Sequence, residues 1–447
     1  MSSPSPAPPR RARVSLAMLA LLSALAFMDR QIFAVLLVPV QREFELDDLQ
    51  VAAVTSLGFA LSFAVLAMPL ARLSDRGSRR RVIAWCRGLG GALAALGAAS
   101  GSAAMLAATR MGSAISDAGG GPASMSLAAD LMPAGQRSRA MSVFAMASSG
   151  GSLLALILGA WGAQHFGWRA TLAAIGTSSL LGALALRWVV NEPARAAAGA
   201  PAAASLTGAA PGASRGGALA AVLAQPASRW LLIGAALALL AGYSFGIWNF
   251  AYLVRRHGLS VQTAGWVTGL SAAGSMVGSG AAGWLADKLV PRDVRWQLGV
   301  PVLGLSISLP LALAFLALDA THTGWAIVLL VAFGFFVAWW IAPSYAALSH
   351  LVAPERRASA NALLLLVGAV GGGGVGPVLT GALSDALAPH VRGDPLGVAL
   401  ALVVLLLLPS AWALWRCLRL YPAALRSQAA AITASQAASA TGATTVR

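Results

Sequence analysis

The segment LARLSDRGSRRRVI, residues 70–83, carries five arginines and one aspartate between two long apolar runs. A hydrocarbon core does not accept such a stretch, so it lies in water, and positive charge between spans is retained on the cytoplasmic side. The apolar run before it therefore ends in the cytoplasm, and the run after it begins there. About 20 apolar residues are needed to cross ~30 Å of hydrocarbon. On that measure the chain holds twelve spans, at 15–38, 49–70, 82–100, 103–128, 140–162, 168–190, 230–252, 264–286, 298–318, 324–348, 360–383 and 396–418. The first is too long for a signal-peptide core of about 7–15 residues and has Asp29 and Arg30 in its middle, so it is read as a span. Only 10% of the 447 residues are charged and 58% are hydrophobic, against roughly 25% charged in a soluble domain. The net charge of +16 would suggest nucleic acid in a soluble protein. Here the arginines fall in short loops between spans, so the charge is topology and no nucleic-acid partner is expected.

These runs fix the domain plan. Residues 1–14, rich in proline, serine and arginine, form a cytoplasmic tail expected to be disordered. A six-helix bundle follows at 15–190, an Ala/Gly/Pro/Ser-rich cytoplasmic linker at 191–227, a second six-helix bundle at 228–420 and a second disordered tail at 421–447. With both termini and the linker inside, about 22 basic residues face the cytoplasm and about five, Arg42, Arg169, Arg255, Arg256 and Arg392, face outward. The halves also repeat. The stretch from Pro122 to Pro133 has the proline spacing of Pro343 to Pro354, and Gly150-Gly151 falls at the offset of Gly371-Gly372. The loop with Asp75 has a weaker echo in GWLADKLVPR, which contains Asp287. Parallel six-helix repeats are the expected signature of alternating-access carriers with a mid-membrane site between the halves.

The loop at 71–80 resembles the signature of the major facilitator superfamily, with Leu73, Ser74, Asp75, Arg76, Arg79 and Arg80 matching and Ser78 in place of its second glycine. The stretches FMDRQI, TRMGSAISDAGGGPAS and QHFGWRA are similar to bacterial members of the spinster branch, although Asp117 stands where that branch usually has glutamate. The resemblance implies an all-α membrane protein of two pseudo-symmetric six-helix bundles, a monomer in the bacterial inner membrane. It also implies a cytoplasmic gate at Asp75, Arg76, Arg79, Arg80 and Asp287, with Arg139 and Arg357 as partners.

Charges inside the spans carry the chemistry. A charge at the centre of a spanning helix costs roughly 2.5–3.5 kcal/mol, so it persists where it faces a cavity or a partner. Asp29, Arg30, Arg110 and Asp117 qualify, a formally neutral set. Arg110 and Asp117 are seven residues apart, which on an uninterrupted helix puts them on one face, ~10.5 Å apart. Arg30 and Arg110 are the expected anchors of an anionic head group. A buried carboxylate beside an arginine can stay ionised or take up a proton, and the spinster resemblance implies proton coupling through Asp29 and Asp117, with Asp117 preferred. The second half offers no charge at that depth but does offer Tyr243, Trp248, Asn249, Trp340, Tyr345 and Asn361. A charged wall facing an aromatic one suits an amphiphile.

Enzyme chemistry has no foothold. The five histidines are scattered, the two cysteines have no metal spacing, and no phosphate-binding loop occurs. Neither a metal nor a cofactor is expected. The reading is a secondary transporter, proton-coupled, of a small organic anion or lysolipid-like anionic amphiphile, with protons and membrane lipids as partners. Multidrug efflux by proton antiport and a non-transporting sensor are the alternatives.

Overall fold

In a bilayer every backbone N–H and C=O must be satisfied within the chain, and the helix does this locally. The computed structural model describes residues 10–132, 137–190, 192, 224–352 and 357–444, the side chains of 75, 76, 129, 137–139, 357–359, 362 and those from 429 onward excepted. Helix α1 (Arg10–Phe44) is the first span. The second joins α2 (Asp48–Ala52), a π-helical turn at Ala53–Leu57 and α3 (Gly58–Arg76). Helix α4 (Arg79–Gly97) is the third, and α5 (Ala103–Ser113) with α6 (Ile115–Leu131) the fourth. Helix α7 (Arg137–Val189) holds the fifth and sixth, reversing at Gly167, whose φ of 80° only glycine adopts readily.

The second half follows the same order. Helices α8 (Pro226–Arg256), α9 (Val261–Leu289) and α10 (Trp296–Ala317) are the seventh to ninth spans. The tenth joins α11 (Thr323–Val337) to α12 (Ile341–Leu351) through a 3₁₀ turn at Ala338–Trp340. The eleventh runs through α13 (Arg357–Val367), a π-helical stretch at Gly368–Val375 and α14 (Gly376–Leu387). The twelfth is α15 (Pro395–Val404) with α16 (Leu407–Thr444). All twelve passages are present, yet among the described residues only eight helices are long and apolar enough to be recognised as spans by composition. Charge, glycine and serine dilute the third, fourth and eighth, and α7 runs two passages together.

The ends differ from the composition-based boundaries. Helix α1 starts at Arg10 and α16 continues to Thr444, so helix extends into both stretches expected to be tails. The 191–227 linker lies outside the described residues apart from 192 and 224–227.

Small residues set the helix spacing, as they do where lipid supplies no hydrophobic drive for association. A Cβ on Gly151 would stand 2.1 Å from the carbonyl oxygen of Ala24, so the fifth span lies directly on the backbone of the first. Across the molecule the halves meet along α1 and α8, α7 and α9, α2 and α14, and the π-helical stretches of the second and eleventh spans. Such π-helical segments often mark functional places in a helix, and here both border the central cavity.

Candidate functional site

A cavity of about 570 Å³ lies between the halves, about midway along the spans that line it. On the first-half side it meets Arg30, Gln31, Phe59, Thr55 and Arg110; on the other it meets Tyr243, Ile247, Trp340, Tyr345 and Gly373. The charged wall and the aromatic wall expected from sequence therefore face one another. Five of the ten residues expected at the site line it: Arg30, Arg110, Tyr243, Trp340 and Tyr345.

The two cavity arginines are not equivalent. Arg110 Nη1 donates to Asp29 Oδ2 at 3.1 Å and to the Asp29 carbonyl at 3.2 Å. Its Nη2 donates to the Arg30 carbonyl at 3.1 Å and its Nε to the Thr55 carbonyl at 3.4 Å. The guanidinium lies between the rings of Phe33 and Phe59, 4.3 and 4.2 Å from their centroids. Arg110 is thus spent on the protein itself, tying the fourth span to the first and second. Arg30 has no ion pair or hydrogen bond from its side chain among the described residues. Its guanidinium stands 5.8 Å from the Phe59 ring centroid and reaches toward Gly373 of the eleventh span. An anionic head group would therefore meet Arg30 first; Arg110 is a structural neighbour more than a free anchor.

Asp117 is turned away from the cavity. The fourth span is interrupted at Ala114 between α5 and α6, and Asp117 Oδ1 accepts from Arg87 Nη1 of the third span at 3.2 Å. The same nitrogen donates to Ser116 Oγ at 3.2 Å. Arg87 is only 1% exposed, and Gly120 makes room for it, since a Cβ there would lie 2.6 Å from Arg87 Nε. Sequence reasoning placed Arg87 within the 82–100 span but did not count it among the intramembrane charges. Its depth was the available signal: eight residues past Arg79 on a helix is ~12 Å into the membrane. With Arg87 counted, three arginines against two aspartates leave one positive charge in this wall, so the set is not neutral.

Asp29, Trp248, Asn249 and Asn361 also stand behind the cavity wall. Trp248 is fully buried and donates from Nε1 to the Pro377 carbonyl at 2.9 Å. Asn249 Nδ2 donates to the Phe245 carbonyl at 2.8 Å, and its Oδ1 accepts from Thr268 Oγ1 at 3.1 Å, which joins the seventh span to the eighth. Asn361 Nδ2 donates to Ser349 Oγ at 3.0 Å.

At the membrane face that carries the termini, Arg79 is buried between Asp130 at 2.5 Å and Glu192 at 3.5 Å. Glu192 also accepts from Ser78 Oγ and from the Arg79 backbone amide at 2.8 Å, and Arg80 Nη1 donates to the Val190 carbonyl at 3.2 Å. Partial burial raises the Glu192 carboxyl, but the Ser78 hydroxyl, the Arg79 and Arg80 amides and the Arg79 charge outweigh it and hold the group below its ordinary 4.5. Asp130 and Glu192 were not singled out from sequence. Asp287 is exposed at the end of α9. The side chains of Asp75, Arg76, Arg139 and Arg357 lie outside the described residues.

The opposite face carries a polar clasp that sequence reasoning did not foresee. Asp48 accepts from Gln41 Nε2 at 2.8 Å, Arg255 Nη2 at 2.9 Å, Arg255 Nη1 at 3.1 Å and Ser384 Oγ at 2.7 Å. In return Asp385 accepts from the backbone amides of Asp48 at 3.1 Å and Leu49 at 2.7 Å, so a carboxylate of the eleventh span caps the N-terminus of α2. Gln262 N donates to Gln164 Oε1 at 2.7 Å between the eighth and fifth spans.

A family model described as Major Facilitator Superfamily matches residues 19–374 and again 231–442. The chain belongs to the Major Facilitator Superfamily. It is 34% identical over 399 residues, 89% of this chain and 90% of the other, to an MFS-type efflux pump of Mycolicibacterium smegmatis (strain ATCC 700084 / mc(2)155). Its fold is similar to a bacterial homolog of the human lysosomal transporter Spinster in an inward-facing, unoccupied conformation, with TM-score 0.77, 25% identity and coverage of 93% of this chain and 97% of that one. The nucleoside transporter NupG shares the fold, with TM-score 0.69, 15% identity and coverage of 91% of this chain and 98% of that one. This superfamily transporter is therefore a multi-pass membrane protein and not an enzyme, and the spinster resemblance extends from short motifs to the whole fold.

Proposed function

We propose that this transporter is a proton-coupled secondary carrier of an anionic amphiphile in a bacterial inner membrane, with both termini cytoplasmic. The observation that carries the reading is Arg30, a cation in the cavity wall whose donors no protein group uses among the described residues. Facing it are Tyr243, Trp340 and Tyr345, which suit an apolar body. The single net positive charge of the wall favours a substrate with one negative charge. A volume of about 570 Å³ accommodates the head and first part of a single-chain lipid. The proton role falls to Asp117 and Asp29, because each keeps one buried oxygen, Oδ2 and Oδ1 respectively, with no donor among the described residues. A proton placed on either oxygen meets no competing N–H.

Drug efflux is the second reading, favoured by the 34% identity to an efflux pump. The two readings separate on substrate charge, because Arg30 repels cations. The experiment is uptake into proteoliposomes of three single-chain amphiphiles of equal chain length, anionic, zwitterionic and cationic, with and without a pH gradient. The anion should accumulate with the gradient and the cation should not; preferential transport of the cation overturns the proposal. Arg30→Gln should lower uptake of the anion tenfold or more, about 1.4 kcal/mol of lost binding, with folding unchanged. Asp117→Asn should retain binding and exchange at equal pH but lose gradient-driven accumulation. Normal accumulation in that variant would place the proton site at Asp29.

A further inference from the structure

Eight tryptophans are exposed among the described residues. Trp85, Trp188, Trp284, Trp412 and Trp415 lie toward the membrane face that carries the termini, and Trp161, Trp266 and Trp325 toward the other. In the first group four of the five have a cation over the ring. Arg187 stands 5.4 Å from Trp188, Lys288 5.0 Å from Trp284, Arg416 5.2 Å from Trp412 and Arg419 4.3 Å from Trp415. No such pair forms at the other three among the described residues, and Trp161 packs on His165 and Phe166 instead. For the exposed tryptophans the cation is added at one face; at the other, Arg169 and Arg255 stand over Trp168 and Trp248, which are buried.

The pairs are densest on the twelfth span. Trp412, Trp415, Arg416 and Arg419 follow at spacings of three and four and share the exposed face of α16, while Ala413, Leu414 and Cys417 are buried behind them. Trp230 of the seventh span packs edge-on against Trp412 at a centroid distance of 5.0 Å, and the exposed Arg229 precedes it. None of the three arginines has a carboxylate partner among the described residues. From Pro395 at the far side, Trp412 and Arg419 lie ~26 and ~36 Å along the helix, which is where a hydrocarbon core of ~30 Å gives way to head groups.

We propose that this face binds the head group of an anionic glycerophospholipid in the cytoplasmic leaflet. The indoles sit at the boundary between acyl chains and head groups. Each holds a guanidinium against its face, at the level of lipid phosphate, with the forked N–H donors free to grip it. A zwitterionic lipid brings no net charge to offset the three arginines; an anionic one brings a negative charge that offsets part of theirs. The assignment of leaflet rests on the orientation proposed above, but the site itself does not.

The test uses the purified full chain and compares its affinity for phosphatidylglycerol with that for phosphatidylcholine of the same acyl chains, by competitive quenching with brominated lipids. Arg416→Gln with Arg419→Gln should reduce the preference for phosphatidylglycerol about tenfold or more, given that each basic residue at an anionic surface contributes on the order of a fivefold gain. Trp412→Leu with Trp415→Leu removes the platforms, keeps the charge and should also reduce it. Arg292→Gln with Arg295→Gln, exposed cations of the loop after α9, should leave it unchanged. An undiminished preference in the Arg416/Arg419 variant, or an equal loss in the loop variant, overturns the site in favour of diffuse surface charge.

Discussion

Arg87 and Asp117 are each at least nine-tenths buried and joined through one nitrogen, so each is the main counter-charge of the other. Removing one partner strands the other in a medium that solvates it poorly, at a cost of about 3–5 kcal/mol, whereas removing both charges together is often nearly neutral. Arg87→Gln and Asp117→Asn should therefore each lower the unfolding midpoint in detergent, and the double variant should recover most of the loss. A double variant as unstable as the sum of the singles would mean that the two groups are not coupled. This pair also marks how far the residues could be read from sequence. Asp29, Arg30, Arg110 and Asp117 stood out because a charge in an apolar run is conspicuous. Which of them pair did not, nor did Asp117's partner Arg87, since pairing depends on how helices rotate against one another and on the interruption at Ala114. Reading Arg110 and Asp117 on one uninterrupted face sent Asp117 into the cavity, whereas the structure turns it toward Arg87.

Among the elements, the spans were legible because bilayer thickness fixes their length, and their breaks were not. The π-helical turns at Ala53–Leu57 and Gly368–Val375 leave no periodicity in a sequence that is apolar on every face. Nor does a Ser-Arg-Arg start to α4 announce that its first turn will be capped from Glu192, more than a hundred residues away. That cap has a definite pH dependence. Because the folded-state carboxyl is held below 4.5, its contribution to stability is fully present above the unfolded value and is lost as pH falls through the depressed folded value. Glu192→Gln removes this term at every pH. A thermal series from neutral pH down to about pH 3 should show the wild type more stable at the neutral end and the gap to Glu192→Gln narrowing below about pH 4.5. A gap constant with pH would mean that Glu192 makes no charge-dependent contribution.

At the scale of the whole molecule, the face opposite the termini is joined by a few polar bonds between the halves, beside the helix packing of α7 on α9 and α2 on α14. Asp48, from the second span, binds Arg255 of the seventh and Ser384 of the eleventh, and Asp385 binds back to the start of α2. A carrier that opens at this face must break the set each time it does so, and no part of the clasp lines the cavity. Arg255 is about one-third exposed, so solvent screens its charge and discounts the pair. Asp48→Asn keeps the shape and the Gln41 and Ser384 neighbours but removes the charge that Arg255 grips from two nitrogens. Weakening a contact that holds this face closed shifts the population toward the state open there by the free energy lost, here about 1–2 kcal/mol, or roughly five- to thirtyfold. Spin labels at the ends of the first and seventh spans beside the clasp should report the longer distance in a larger fraction of Asp48→Asn molecules. Asp385→Asn should act in the same direction but less strongly, since an amide oxygen can still accept from one of the two backbone N–H groups. A distance distribution identical to wild type in both variants would show that packing between α7 and α9 closes this face without the clasp.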